Sequence, residues 1–298
     1  MAWKQLGPLF WTDPATHRER PLAAGSGLVR TSRSLWIVAD DLHHVVRFSN
    51  DGNLSGIGYR IFSGELPDDF KKRKRIKPDT ECLIQLPTRP EGLSMLAFPS
   101  GSKSNRVLAS ELQISAGDEF LGSREINFSA LLWFLDERIP DLNIEGGAIF
   151  GEKVLLFQRG NGKAGFNGIV ELSFGQFESC LRGRCDTDKL NPRITEVQLP
   201  KIAGVSLTFT DAHIHDGQVY FSAAAEHSSS TYEDGEVLGS VIGRLDSTPV
   251  ILSQIDKVKV EGLALASSDV KGLTFFAVTD ADNPRIPSNL LKVEIQRA

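Results

Sequence analysis

Apolar residues come in runs of four to eight, rich in Val, Ile, Leu and Phe, with Gly, Asp, Asn and Ser between the runs. Helical periodicity is nearly absent. Short apolar runs bounded by turn residues predict an all-β protein of many short strands. One stretch departs from this, SALLWFLDERIPD at 129–141, whose spacing predicts a short helix.

The strands repeat. An acidic or small polar residue opens a short apolar strand, a turn follows, and a very apolar strand then ends in polar residues. NIEGGAIFGEKVLLFQRGN (143–161) is the clearest copy. FTDAHIHDGQVYFSAAAE (209–226), KVEGLALASSDVKGLTFFAVTDAD (259–282), SGLVRTSRSLWIVADD (26–41) and the divergent DTECLIQLPTRPEGLSMLAFPSG (79–101) are the others. Ser26 to Asp40, Glu145 to Arg159 and Asp211 to Ala225 are each fourteen positions apart. Two further strands follow each hairpin, except that the last unit has only LLKVEIQ before the chain ends. Four-stranded units repeated radially make a β-propeller. The expectation is one domain over 1–298 with five blades, the last closed by the N-terminal KQLGPLF. Six blades is the competing count. A β-sandwich gives no reason for an acid-first hairpin to recur, and no Trp-Asp ends a strand as a WD40 propeller requires.

In a propeller the innermost strands line a central channel. The lead residues Ser26, Glu81, Glu145, Asp211 and Glu261 should therefore converge at one mouth, with Asp40, Asp41, Arg159, Asn161, Glu226, Asp280 and Asp282 on its rim. Crowded carboxylates must keep protons or meet a cation. A ring of hard oxygens on Glu81, Glu145, Asp211 and Glu261 favours Ca²⁺ or Mg²⁺. The alternative is that each acid accepts hydrogen bonds from the next blade's backbone and sets blade spacing. His213 and His215 alternate with Asp211 and so share its strand face, as an acid–base or ligand pair or as buried sheet histidines. His43 follows the rim acids and is a second candidate base. Arg159 would orient an anionic or carbonyl oxygen, or balance a ring acid. The small Gly residues after the lead acids suit crowding at the axis.

Composition narrows the partners. The 33 basic and 38 acidic residues give a net charge of −5, which excludes a general nucleic-acid binder. No apolar run reaches the ~18 residues a membrane helix needs. The one concentrated charge is KKRKRIK, 71–77, read as a solvated crossing loop or as a flap that attracts an anionic small molecule to the mouth. The N-terminus lacks the basic start and apolar core of a secretory signal, so a cytoplasmic chain is expected. Cys180 and Cys185 are accordingly expected as free thiols, with a hairpin disulfide as the alternative in an oxidising compartment. Gly160, Gly162 and Gly165 satisfy G-x-G-x-x-G, but a strand-like segment follows rather than a helix, so the match reads as a hairpin. No G-x-S-x-G elbow and no P-loop occur.

The 143–161 and 259–282 segments resemble bacterial propellers related to the domain called esterase-like activity of phytase. More distantly they are similar to the gluconolactonase and paraoxonase-type propellers. The resemblance implies a channel mouth that holds a divalent cation and hydrolyses an ester, lactone or phosphoester, the alternative being a non-catalytic propeller that binds a small ligand or a protein partner there. It places Glu145 and Glu261 at the family's Ile/Val-Glu-Gly position and Arg159 at its strand-end arginine. Ser26 departs by replacing an acid, and the mixed Glu/Asn/Asp metal set of gluconolactonases is not found.

Overall fold

The computed structural model describes residues 2–88, 92–227 and 235–296, so the turn of the second hairpin copy, 89–91, lies outside the described residues. Five antiparallel blades form a propeller. Their innermost strands are Gly25–Arg30, Thr80–Gln85, Ile144–Phe150, Thr208–His215 and Val260–Asp269, and each neighbours the next around a closed ring. The count is five, so the six-blade alternative falls. Blade 5 is completed by Ala2–Pro8, which pairs antiparallel with Asn289–Gln296. The chain then crosses to blade 1, where Phe10–Asp13 runs parallel to Ser55–Arg60. One segment thus stitches the first blade to the last, leaving no open seam in the ring.

Each seam between blades holds one hydrophobic cluster. Alternate residues of a single strand feed two clusters. In Ser34–Ala39, Leu35, Ile37 and Ala39 pack toward blade 5 beside Ala264 and Val278. Trp36 and Val38 pack toward blade 2 beside Met95 and Ala97. A strand buried on both faces has no polar alternation, which is why the second strand of every copy reads as an unbroken apolar run.

Close approach at the axis is a matter of missing β-carbons. Gly27, Gly146 and Gly262 each follow a lead residue. A β-carbon on Gly146 would lie 2.9 Å from the Asp211 Cα of blade 4, and one on Gly262 would lie 2.4 Å from the Ser26 carbonyl oxygen of blade 1. Gly146→Ala is expected to cost about 1–3 kcal/mol through overpacking against backbone. Denaturant midpoints measure it, and an unchanged midpoint contradicts so tight a fit.

Three local expectations change. The basic run is not a loop but a helix, α1 (Phe70–Ile76), capped by Asp69, whose carboxylate accepts from the Lys72 amide at 2.8 Å. Its last turn carries Arg73, Lys74 and Arg75, the favourable sign for a helix C-terminus. The helix expected at 129–141 is α2 (Ser129–Asp136), shorter than read. Cys180 and Cys185 are disulfide-bonded rather than free. Cys180 lies in the last turn of α3 (Phe174–Leu181), and a turn through Gly183, at φ +71°, folds Cys185 back onto it. The bond is the hairpin alternative, not the free thiols that the redox argument favoured. No helix among the described residues is long and apolar enough to cross a membrane.

Candidate active site

The innermost strands start at one mouth and the second strands return to it. A small cavity of about 100 Å³ opens there, room for a few waters or the polar head of a small ligand. Nine carboxyl groups and six basic side chains line it.

Most of those charges are paired inside the protein. Lys77 is buried between Asp40 and Asp79, bonding the first and lying 2.9 Å from the second. Arg106 is 2.7 Å from the other oxygen of Asp79, which also accepts from the Ser100 hydroxyl. Arg159 reaches Glu226 at 2.6 Å, Glu145 at 3.3 Å and Glu261 at 3.5 Å. Lys259 lies 3.0 Å from Glu261 and 2.7 Å from Asp282. Arg73 of α1 lies 3.2 Å from Asp41. The Asn143 amide donates to Glu145 at 2.6 Å. Glu81 differs: its carboxyl lines the cavity and makes no hydrogen bond or ion pair among the described residues.

Burial and like charge keep protons in this site. Burial, followed by Glu145, Asp79 and Asp40, pushes the Glu81 carboxyl well above the usual carboxylate range, with Lys77 pulling against them. Burial takes Glu145 up to about 7 despite Arg159. Burial takes Asp40 up to about 6 despite Lys77. Asp79 goes the other way, because Lys77, Arg106 and the Ser100 hydroxyl together outweigh its burial. One mouth thus holds acids whose proton affinities are pushed in opposite directions, the arrangement acid–base chemistry uses.

The expected residues separate into two groups. Glu81, Glu145, Glu261 and Arg159 line the cavity together, as do all the rim residues named from strand ends. Asp211 does not line it. Its Oδ2 accepts from the Leu263 amide of blade 5 at 2.7 Å, so it ties neighbouring blades together in the way the alternative reading describes. His213 and His215 are carried away from the mouth. A strand rises ~3.3 Å per residue, so shared face does not mean shared site. His213 lines a depression at the other end of the channel, and His215 Nε2 lies 3.3 Å from Asp216 at the strand's last turn. His43 sits outside the cavity with Nδ1 3.3 Å from the Gly64 carbonyl oxygen, because the chain turns outward after Asp41.

Arg159 balances ring acids, as one of its two sequence readings had it, but the roles of Lys77, Lys259 and Arg106 were not read from the sequence. Lys77, Asp79 and Glu81 alternate, as do Lys259 and Glu261, so the period of two could have placed both lysines beside the lead acids. Arg106 comes from a loop and carries no such signal.

Asp40, Asp79 and Glu81 each offer an oxygen within 4.8 Å of the others, and such a triad could hold a metal ion. The Lys77 ammonium already stands between two of the three, so an ion would enter only by displacing it.

A family model described as "Family of unknown function (DUF6929)" matches residues 21–295. No curated protein matches the chain. Among solved structures, the chain is similar to the glutaminyl cyclase of Myxococcus xanthus, at 13% identity over 94% of this chain and 96% of that one, with a TM-score of 0.46. A bifunctional GH43-CE of Bacteroides eggerthii gives 11% identity over 98% of this chain and 35% of that one, with a TM-score of 0.50. An arabinanase of Bacillus subtilis gives 11% over 98% and 97%, with a TM-score of 0.45. At such identities the likeness is one of fold.

Proposed function

The chain belongs to DUF6929, a family of unknown function, and from the chemistry of its channel mouth we propose that it is a hydrolase of an ester, lactone or phosphoester in a small polar substrate. The observation that carries the reading is Glu81, the carboxyl in the cavity that no neighbour pairs. Pushed toward its protonated form by burial and by Glu145, Asp79 and Asp40, it can act as a general acid that gives its proton to a leaving-group oxygen. Glu145, pushed up to about 7, takes a proton from the attacking water when ionised. Water adds to the carbonyl or phosphoryl centre, the bond to the leaving oxygen breaks, and Glu81's proton leaves with it. Arg159 and Asn143 hold Glu145 in place. The basic α1 at the rim draws an anionic substrate toward the mouth. The resemblance of 143–161 and 259–282 to esterase-like phytase-related propellers points the same way.

The closeness of the Asp40, Asp79 and Glu81 oxygens favours a second reading, in which Ca²⁺ or Mg²⁺ replaces the Lys77 ammonium there. A bound cation would supply polarisation of the substrate oxygen.

Turnover of 4-nitrophenyl acetate, 4-nitrophenyl phosphate and a γ-lactone tests both. At least one is expected to be hydrolysed, with a rate that rises with pH through about 7 as Glu145 ionises. Glu81→Gln should lose about 100-fold or more. Activity that survives EDTA favours the acid–base reading, and activity that EDTA removes and Ca²⁺ or Mg²⁺ restores favours the cation. No turnover of any substrate, or full turnover in Glu81→Gln, overturns the proposal.

A further inference from the structure

The channel has a second mouth, at the end where the innermost strands of blades 1 to 4 finish. A depression of about 430 Å³ lies there, within the size range of small-ligand sites. It is separate from the acid-lined cavity and shares no residue with it. Its walls are apolar and polar in about equal measure, with Leu83, Leu86, Ile149 and Ile214 on the apolar side and Gln85, Thr88, Arg30 and His213 on the polar side. Gly147, Ala148 and Ala212 line it as well.

Its charge is unusual. The lining holds no carboxyl group and one guanidinium, that of Arg30 at the end of Gly25–Arg30. Arg30 Nε is buried without a hydrogen-bond partner, and the side chain makes no ion pair among the described residues. A buried donor left unpaired costs free energy that an incoming acceptor recovers. The other titratable group in the lining is His213, edge-on to Phe275 at 6.2 Å between ring centroids. Burial lowers its pKa to about 4, so it is a neutral hydrogen-bonding group at neutral pH. A bowl with an apolar wall and a single unanswered cation suits a small ligand with an apolar body and one negative end.

We infer that this second mouth binds a small apolar monocarboxylate, its carboxylate on the Arg30 guanidinium and its hydrocarbon against Leu83, Leu86, Ile149 and Ile214. A guanidinium holds a carboxylate through paired N–H donors, a geometry no neutral head group matches. The claim does not depend on the chemistry proposed for the other mouth.

Octanoate, titrated calorimetrically against the full chain, is the probe, with 1-octanol as its uncharged counterpart. Saturable one-to-one binding is expected for octanoate and at least tenfold weaker binding for 1-octanol. Arg30→Met should weaken octanoate at least tenfold while keeping the apolar stem. Arg30→Lys, which keeps the charge without the paired donors, should weaken it less than Arg30→Met does. Thermal melts confirm that each variant is folded, and either variant alone suffices if the other is not. Absence of saturable binding, equal affinity for the alcohol, or unchanged affinity in a folded variant overturns the proposal. So does loss of octanoate binding in Glu81→Gln, which would move the ligand to the other mouth.

Discussion

Arg159→Met is expected to lower folding stability by about 3–5 kcal/mol, the usual result of removing one partner from a buried charge cluster. Arg159 is buried and faces Glu145, Glu226 and Glu261 within 3.5 Å. Methionine keeps part of the apolar stem, so the loss is mainly one of charge. Lys259 is left as the closest cation to Glu226 and Glu261, at 3.7 and 3.0 Å. The deficit should depend on pH in one direction. Glu145 has a folded-state pKa of about 7 against an ordinary 4.5, so its contribution to stability is full below the ordinary value and is lost as pH rises through the folded one. Without the guanidinium that folded value climbs further, and the loss continues to higher pH. Denaturant midpoints at pH 5, 7 and 9 should show a gap between wild type and variant that widens with pH. A gap below 1 kcal/mol, or one that is the same at all three, would show that Arg159 does not compensate these acids. Arg159→Lys should recover part of the loss.

The same cluster marks how far the sequence could be read. The blade count was legible because an apolar strand buried on both faces differs in pattern from a turn. Five hairpins, each opened by a polar residue, also leave little other geometry. Convergence of Glu81, Glu145 and Glu261 follows from that geometry alone. What neutralises them does not. Carboxylates at one mouth can be answered by a metal, by protons, by amides or by buried bases, and spacing does not choose among these. The protein uses three of the four within a few residues. Burial pushes Glu81 toward its protonated form, the Asn143 amide meets Glu145, and Arg159 and Lys259 meet Glu261. The histidines show another limit. Alternation puts Asp211 and His213 on one face of a strand, but distance along that strand separates the mouth from its far end. The helix of the basic run was hidden because its residues bury nothing, so no apolar stripe betrays it.

Removing residues 2–13 is expected to abolish the folded monomer. Ring closure depends on this segment at two places. Ala2–Pro8 supplies the outer strand of blade 5, and Phe10–Asp13 extends blade 1. Between them Leu9 is fully buried and Trp11 is 2% exposed, both in the cluster that seals the seam between those blades. Losing a buried Leu and a buried Trp side chain costs about 5–10 kcal/mol by the usual large-to-small scale, which approaches the whole stability of a typical domain, about 5–15 kcal/mol. The truncation also strips Asn289–Gln296 of its partner and leaves an unprotected edge that invites pairing between molecules. Removing only 2–8 keeps Leu9 and Trp11, so that shorter truncation should still fold, with a lowered melting temperature and a tendency to self-associate at the freed edge. A peptide of sequence AWKQLGPLFWTD, added to the longer truncation during refolding, should restore the monomer by strand addition. Size-exclusion chromatography and thermal melts read both arms. If the chain without residues 2–13 melts as the full chain does and stays monomeric, the ring is held closed by its inner seams alone and the N-terminal stitch is dispensable.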